Sequence, residues 1–213
     1  MAAAVFFIGA GGKLLRRLSA RERMKKSLQQ RIEDAVREEI QIVAYDPSWP
    51  GQFAEEEAFL RSRLPEGMVV RIEHFGSTAV PGLAAKPVID ILAEVRSLDE
   101  ARVCIAPILE SEGYEYFWRP EFEGPPYYAW FIKRNASGTR THHIHMVEAD
   151  SRLWIRLYFR DYLREFPGEA QRYSALKRAL AAQFPGDRVG YTRGKSEYIN
   201  SVTRKAQSYY SEK

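Results

Sequence analysis

The feature of the chain that most constrains its fold is the stretch GSTAVPGLAAKPVIDILAEV at residues 76–95. It follows MVVRIEHFG (68–76), whose alternating, β-branched residues predict a strand. It ends in PVIDILAEV (87–95), a mostly apolar run that predicts a second strand in the interior of a sheet. Asp90 and Glu94 are the carboxylates of this second strand. Because glycine lets the backbone N–H groups of a turn approach an anion closely, the glycine-serine turn between the two strands predicts a phosphate site.

The remaining pattern predicts an α+β fold, with a mixed β-sheet of four to six strands and flanking helices that pack on one side. Ser97 and Glu100 form a capping box at the start of one helix, and Pro107 is expected to kink or divide that helix. The NASG segment predicts a hairpin turn between the last two strands. The further strands are predicted over 114–118, 127–134 and 141–148, and the helices over 51–64, 97–113, 153–166 and 168–184, with a final helix towards the C-terminus.

The composition excludes several classes of protein. A single cysteine, Cys104, excludes an internal disulfide and a cysteine-based zinc cluster. No apolar run reaches the length of a membrane span, and no Walker A loop, Gly-x-Ser-x-Gly elbow or His-Glu-x-x-His motif occurs. The predicted location is cytoplasmic. An organelle transit peptide is the alternative, because the start of the chain is rich in arginine and has few acids.

The positive charge of the chain is concentrated near its N-terminus. Residues 13–31 contain eight basic side chains and one acid, whereas the net charge of the whole chain is +4. Apolar residues recur near helical spacing over 14–40, which predicts a long charged helix. We therefore divide the chain into a basic N-terminal helical arm, 1–41, and a folded domain, 42–213. A solvated arm docked by one narrow apolar stripe is the favoured interpretation, and contact with RNA or a membrane surface is the alternative.

Asp90 is the carboxylate around which a catalytic site is predicted. Residues two apart on a strand share a face, so Asp90, Leu92 and Glu94 point the same way. Two-metal phosphate chemistry needs neighbouring carboxylates, and position 92 would supply one about 7 Å from position 90. Leucine occupies position 92, and Glu94 lies roughly 13 Å from Asp90 along the strand. The second acid of a two-metal site is therefore missing from this strand.

Three of the four histidines fall within THHIHMVE, a predicted strand, and the fourth, His74, precedes the glycine-serine turn. Alternation places His143 and His145 on one face of the strand, and His142 and Ile144 on the other. A His-x-His pair can ligate a metal, or can hold and protonate an anion. The alternative is a pair of histidines that are hydrogen-bonded within a polar sheet face.

Donors for a phosphate or carboxylate ligand are spread over the same part of the chain. The candidates are Gly76, Ser77, Thr78, Lys86, Arg140, Arg160, Lys177 and Lys195. Arg160 has an alternative interpretation as a surface ion pair with Asp161, and Lys177 as a solvated helix residue. Lys195 stands at the start of a predicted helix, where a cation opposes the macrodipole, and an anion-binding role would explain it. Glu73 is a candidate third metal ligand, if the alternation of its strand turns it towards the histidines.

These motifs together resemble a known family. IEHFGSTAVPGLAAKPVIDI, HHIHMV, FRDYLR and the spacing of Tyr173 and Lys177 are similar to the GrpB family, also called UPF0157, over roughly 42–210. The resemblance implies a polymerase-β-like nucleotidyltransferase fold, in which Gly-Gly or Gly-Ser precedes a strand that carries acids. It also implies a relation to dephospho-CoA kinase, to which the family is fused in some bacteria.

Two functions follow from the residues and the resemblance. The first is a nucleotidyltransferase-like enzyme that transfers a group from a nucleotide or another activated phosphate to a small acceptor. It would use Asp90, His143 and His145 as catalytic residues, with Mg²⁺ or Mn²⁺ held by Asp90 and His145. The second is a non-catalytic or divergent member that binds a nucleotide, a CoA-like compound or another anionic small molecule in the same cleft.

Overall fold

A computed structural model describes residues 38–118 and 127–212, together with residues 27, 30, 31 and 33. Most of the predicted basic arm lies outside these residues, so its boundary at 41 and its contact with RNA stay predictions. Residues 30, 31 and 33 are helical, as predicted for the arm, whereas residues 38–40 at the end of the predicted helix are not. The reason is that this segment bonds across the domain: Ile40 N–H donates to Pro185 O, and Val43 forms a bridge with Ala85.

The elements follow the predicted order. The strands are β1 (Val69–Phe75), β2 (Ile89–Val95), β3 (Glu115–Trp118), β4 (Ala129–Arg134) and β5 (Arg140–Val147). The helices are α1 (Trp49–Arg63), α2 (Leu98–Glu100 and Ala106–Ser111, joined by a π turn at Ala101–Ile105), α3 (Arg156–Glu165), α4 (Pro167–Gln183) and α5 (Arg188–Ser211). The side chain of Ser97 caps α2 by accepting from the N–H groups of Asp99 and Glu100, and the interruption before Pro107 divides the helix as predicted.

The five strands form one mixed sheet in the order β1-β2-β5-β4-β3. The central pair, β2 and β5, is parallel, and the other three neighbouring pairs are antiparallel. A parallel pair is normally buried on both faces, which explains why PVIDILAEV is almost continuously apolar. The predicted α+β class with a mixed sheet is confirmed.

The two faces of the sheet are covered by different helices. Ile89, Ile91 and Ala93 of β2 lie in one hydrophobic core with Leu60 of α1 and Leu109 of α2. The opposite face, which carries Asp90, forms one wall of a cleft, and α3, α4 and α5 supply residues to the other wall. The prediction that the helices pack on one side was therefore wrong. It failed because the period of a helix shows which of its faces is apolar and not which face of the sheet that side covers.

The final helix, α5, is 24 residues long and carries many polar side chains. Within the described residues, we find no helix with the length and apolar character that crossing a bilayer would require.

Replacing Ile91 by alanine tests the core on the α1 face. Ile91 is fully buried, so we expect Ile91→Ala to lower the free energy of unfolding by about 2–5 kcal/mol, measured by urea denaturation. Val70→Ala is the matched control, because the side chain of Val70 is 54% exposed on the edge strand β1. It should lower the free energy of unfolding by less than about 1 kcal/mol. Equal losses for the two variants would contradict the assignment of this core.

Candidate functional site

The glycine-serine turn packs directly against the carboxylate of Asp90. The antiparallel register pairs Phe75 with Asp90, and the chain turns immediately afterwards into a short 3₁₀ segment, Ser77–Ala79. Gly76 has a φ of 78°, and a Cβ atom on it would lie 2.6 Å from Asp90 Oδ2. Glycine is therefore required at position 76 for two reasons, since its backbone lies in the left-handed region and no side chain fits beside the carboxylate.

The parallel register places the two predicted histidines beside the Asp90 strand. Asp90 pairs with His143, and Leu92 pairs with His145. The Nδ1 atom of His143 lies 3.1 Å from Asp90 Oδ1. One potential ligand atom from each of Asp90, His143 and His145 lies within 4.8 Å of the others. The structure thus brings together the three side chains that were predicted to form the catalytic site.

The contacts of His143 determine its tautomer. An ionised carboxylate only accepts hydrogen bonds, so Nδ1 of His143 carries the proton that it donates to Asp90. Its Nε2 is left as an acceptor, and Arg140 Nη1 lies 3.4 Å away as the donor. Burial lowers the pKa of His143 to about 4, against the opposing effect of Asp90, so the ring is neutral at pH 7. Burial alone would raise the pKa of Asp90, but the His143 hydrogen bond and nearby positive charges bring it to about 2.

A carboxylate from the N-terminal segment fixes Arg140 in this position. Glu38 accepts a hydrogen bond from Arg140 Nη2 through Oε1 at 3.1 Å, and its Oε2 forms an ion pair with Arg140 Nε at 2.8 Å. The same carboxylate lies 2.6 Å from Arg134 Nη2 and 3.4 Å from Arg188 Nη2. Because Glu38 holds two nitrogens of Arg140, the third is directed at His143. A chain of hydrogen bonds therefore runs from Glu38 through Arg140 and His143 to Asp90.

Three lysines line the side of the cleft opposite the sheet, around two buried tyrosines. Lys195 Nζ lies 4.3 Å and Lys86 Nζ 5.7 Å from the ring centre of Tyr191, and Lys177 Nζ lies 4.7 Å from that of Tyr173. Burial, followed by neighbouring positive charges, lowers the pKa of Lys177 and of Lys195 to about 7 and that of Lys86 to about 8. We refer to Lys86, Lys177 and Lys195 as the lysine cluster.

The cleft has an aromatic side and a strong excess of positive charge. Its volume is about 730 Å³, and Phe75, Phe117 and Trp130 form its aromatic side with His145. The ring centre of His145 lies 5.3 Å from that of Phe75 and 6.2 Å from that of Trp130. Among the described lining residues, Asp90 is the only acid. The lysines and arginines of the lining are Lys86, Arg140, Arg156, Lys177, Arg188, Arg193 and Lys195.

The donor set fits one divalent cation better than two. Both ring nitrogens of His143 are engaged, so Asp90 and His145 are the protein groups that would hold an ion. Mg²⁺ and similar ions are commonly held by one or two protein ligands together with substrate phosphates. The position of a second acid is filled by Leu92, which is fully buried. A cation at Asp90 and His145 would supply Lewis-acid stabilisation of a phosphate oxygen.

Some of the predicted residues lie elsewhere. Arg160 does not line the cleft, because it donates to Glu73 Oε2 at 2.8 Å, to the carbonyl of His74 at 2.9 Å and to Asp161 at 2.7 Å. Because the Glu73 carboxylate accepts from Arg160, it does not serve as a third metal ligand. His74 stacks on Phe53 of α1, on the core face, with ring centres 4.8 Å apart.

Two of the remaining candidates have structural bonds of their own. The hydroxyl of Thr78, which lines the cleft, donates to Val88 O at 3.2 Å. Lys177 is only 2% exposed and its ammonium group donates to Ala84 O, so the alternative interpretation as a solvated helix residue is wrong. Lys177 lines the cleft, in line with its prediction as a donor. Gly76, Ser77, Lys86, Arg140 and Lys195 also line the cleft. The predicted helix start at Lys195 was wrong, because α5 begins at Arg188 and Lys195 lies inside it.

Sequence reasoning missed Arg188 and Tyr191, which line the cleft. They recur with the predicted Lys195 at spacings of three and four, which places all three on one face of α5. That periodicity, together with the Tyr173 and Lys177 pair on α4, was the available signal. Glu38 carried no comparable signal, because its role depends on partners more than 90 residues away.

Comparison with known proteins gives matches to a family model, to several relatives and to a solved structure. The family model described as GrpB protein matches residues 39–205. A UPF0157 protein of Pseudomonas aeruginosa is 40% identical over 184 residues, which cover 83% of this chain and 72% of that protein. The crystal structure of conserved protein GrpB from Enterococcus faecalis superposes with a TM-score of 0.70 at 34% identity, covering 80% of this chain and 99% of that one. A dephospho-CoA kinase of Mycolicibacterium paratuberculosis is 30% identical over 78% of this chain and 46% of its own length.

Gly76→Ala tests the contact between the turn and Asp90. We expect a loss of unfolding free energy larger by about 1–3 kcal/mol than that of Gly82→Ala, measured by urea denaturation. Gly82 is a matched control because its φ of 74° imposes the same backbone strain, whereas a Cβ atom there meets nothing within 4 Å. Equal losses of unfolding free energy in the two variants would contradict the close contact between the Asp90 carboxylate and Gly76.

Glu38→Ala tests the hydrogen-bond chain to Asp90. Because Arg140 lowers the pKa of His143, releasing Arg140 should raise that pKa and let the ring exchange tautomers. The measurement is a pH titration of the His143 ring by ¹⁵N NMR, with His145 as an internal reference. Glu39→Ala is the control, since Glu39 contributes only its backbone carbonyl to Arg188. An unchanged His143 titration in Glu38→Ala would show that the chain does not act on the site.

Proposed function

We propose that this chain, which belongs to the GrpB family, binds a nucleotide or a CoA-like phosphorylated molecule in its cleft and transfers a group from it to a small acceptor. The observation that carries this proposal is the charge of the cleft, in which seven lysines and arginines face a single aspartate among the described lining residues. Such an excess of donors and positive charge favours a ligand with several negative charges.

The size and lining of the cleft support a ligand that has an apolar or planar part as well as phosphates. Its volume of about 730 Å³ lies within the range of small-molecule sites. The aromatic side offers the ring of Trp130, backed by the buried ring of Phe117, for stacking against a base. The lysine cluster offers ammonium groups for phosphates. A nucleotide combines both parts in one molecule, as does a CoA-like compound. The similarity to a dephospho-CoA kinase supports including CoA among the ligands to be tested.

A nucleotidyltransferase-like fold is part of the same proposal. It is supported by the turn at Gly76 and Ser77, which lies against the Asp90 strand as a phosphate-binding turn would. Group transfer would use one Mg²⁺ or Mn²⁺ at Asp90 and His145 to stabilise charge on the transferred phosphate. His143 would keep the Asp90 carboxylate oriented and ionised through its hydrogen bond.

A second candidate is binding without transfer. The observation that favours it is Leu92, which fills the position of a second acid and leaves one carboxylate on the strand. Such a protein would hold the phosphorylated ligand with its basic side chains and would need no cation. The two candidates differ in their dependence on divalent ions and in whether the bound ligand is consumed.

The test is a thermal-shift series with ATP, CTP, GTP and CoA, each with EDTA, Mg²⁺ or Mn²⁺. For the transferase we expect at least one ligand to give additional stabilisation with a divalent ion, and Asp90→Asn to remove that additional part. Glu94→Gln is the matched control, since Glu94 lies on the same strand and does not line the cleft. Chromatography of the same mixtures, supplied with a metabolite extract as a source of acceptors, follows consumption of the nucleotide.

Each outcome separates the candidates. Stabilisation that depends on the ion and on Asp90, together with consumption of the ligand, supports transfer. Stabilisation that is equal in EDTA and unaffected by Asp90→Asn, without consumption, supports binding alone. If none of the four ligands stabilises the protein under any condition, the proposed function is wrong in both forms.

A further inference from the structure

We propose that the lysine cluster is a subsite for the diphosphate or triphosphate group of the ligand, and that it binds this group without a divalent cation. This inference rests on the proposed function and specifies the charge and the chemical class of the ligand. It also assigns separate tasks to the two sides of the cleft, since any cation would bind at Asp90 and His145.

The first support is the convergence of the three ammonium groups from three parts of the chain. Lys86 precedes β2, Lys177 lies on α4 and Lys195 lies on α5, yet all three line the same cleft. Lys86 and Lys195 approach the same ring, that of Tyr191. The neighbouring positive charges lower the pKa of Lys195 and Lys177 further than burial alone, so the groups are close enough to repel one another.

The second support is the absence of counter-charges. Within the described part of the chain, none of the three ammonium groups forms an ion pair with a carboxylate. The nearest lining acid, Asp90, is engaged by His143. Burying unpaired like charges destabilises a fold unless a ligand compensates for it, and Lys177 is only 2% exposed. A bound anion would neutralise the three ammonium groups and remove this destabilisation.

The third support is the number of charges. A bound anion raises the pKa of each neighbouring lysine, so the occupied cluster carries three positive charges. A single phosphate group carries at most two negative charges at neutral pH and would leave part of that charge uncompensated. A diphosphate or triphosphate chain carries about three or four charges and has enough oxygens to accept from all three ammonium groups. A divalent cation among the lysines would be repelled by them, so phosphates bound there are neutralised by the protein instead. Because the lysines neutralise these phosphates, the site needs no second carboxylate to hold a second cation, and Leu92 can occupy that position.

The experiment measures binding of inorganic monophosphate, diphosphate and triphosphate by isothermal titration calorimetry in EDTA. We expect affinity to rise by about tenfold or more with each added phosphate, because each adds a charge-assisted hydrogen bond to an ammonium group. Lys195→Gln should weaken triphosphate binding by about tenfold to a hundredfold and flatten the series. Lys86→Gln should do the same.

Lys205→Gln is the matched control, because Lys205 lies on the same helix with an exposed side chain and only a 3.9 Å contact to Glu169. It should leave triphosphate binding unchanged. Removing a buried like charge should leave the melting temperature of ligand-free Lys195→Gln equal to or above that of the parent. A lower affinity in that variant then reports the lost contact and not unfolding.

The inference is overturned if monophosphate binds as tightly as triphosphate, if triphosphate binds only with Mg²⁺, or if Lys195→Gln and Lys205→Gln behave alike. These results are distinct from failure of the proposed function. Triphosphate bound in EDTA with no binding of nucleotide or CoA would keep the subsite and remove the proposed function. Nucleotide bound and consumed with full activity in Lys195→Gln would keep the proposed function and remove the subsite. If no phosphate compound binds, both are wrong.

Discussion

The parallel pairing of β2 with β5 is the constraint on which the rest of the cleft depends. It sets Asp90 beside His143 and Leu92 beside His145, although these residues are more than 50 positions apart in the chain. A shift of one residue in this register would turn the histidines into the hydrophobic core and bring Ile144 to the cleft. Because Ile91 and Ile144 are packed in that core, burial of apolar surface is what holds the register and, through it, the site.

The cleft contains many charged side chains that are partly or fully buried. The charges on its sheet side are paired with opposite charges, whereas the lysine cluster on its helix side has no such partner among the described residues. On the sheet side, each charge has an assigned partner, from the carboxylate of Glu38 to that of Asp90. On the helix side, the ammonium groups rest on tyrosine rings instead, which offer a weaker electrostatic attraction than a carboxylate. This contrast between a paired side and an unpaired side is the basis of the proposed phosphate subsite.

The sequence predicted the strands of the site well, because alternation along a strand is a local property. It assigned His143 and His145 to one face, set the turn at Gly76 before the Asp90 strand, and excluded Glu94 by distance along the chain. The helical contributions were harder to predict. Arg160 was expected in the cleft, with an ion pair to Asp161 as the alternative, and the structure shows that ion pair together with one to Glu73. The choice among these partners is made by tertiary packing, which the sequence pattern does not show. The sequence also did not predict that helices cover both faces of the sheet, because that arrangement is likewise decided by tertiary packing.

Glu38 lies one position before the stretch that the GrpB family model matches, yet its carboxylate joins three arginines, two of which line the cleft. A residue outside the shared stretch thus supplies the counter-charge for residues inside it. Shortened versions of this protein that begin at the family boundary would retain the sheet and lose this counter-ion, leaving Arg140 and Arg188 to repel each other. The stretch defined by family similarity is therefore shorter than the set of residues whose charges balance one another around the cleft.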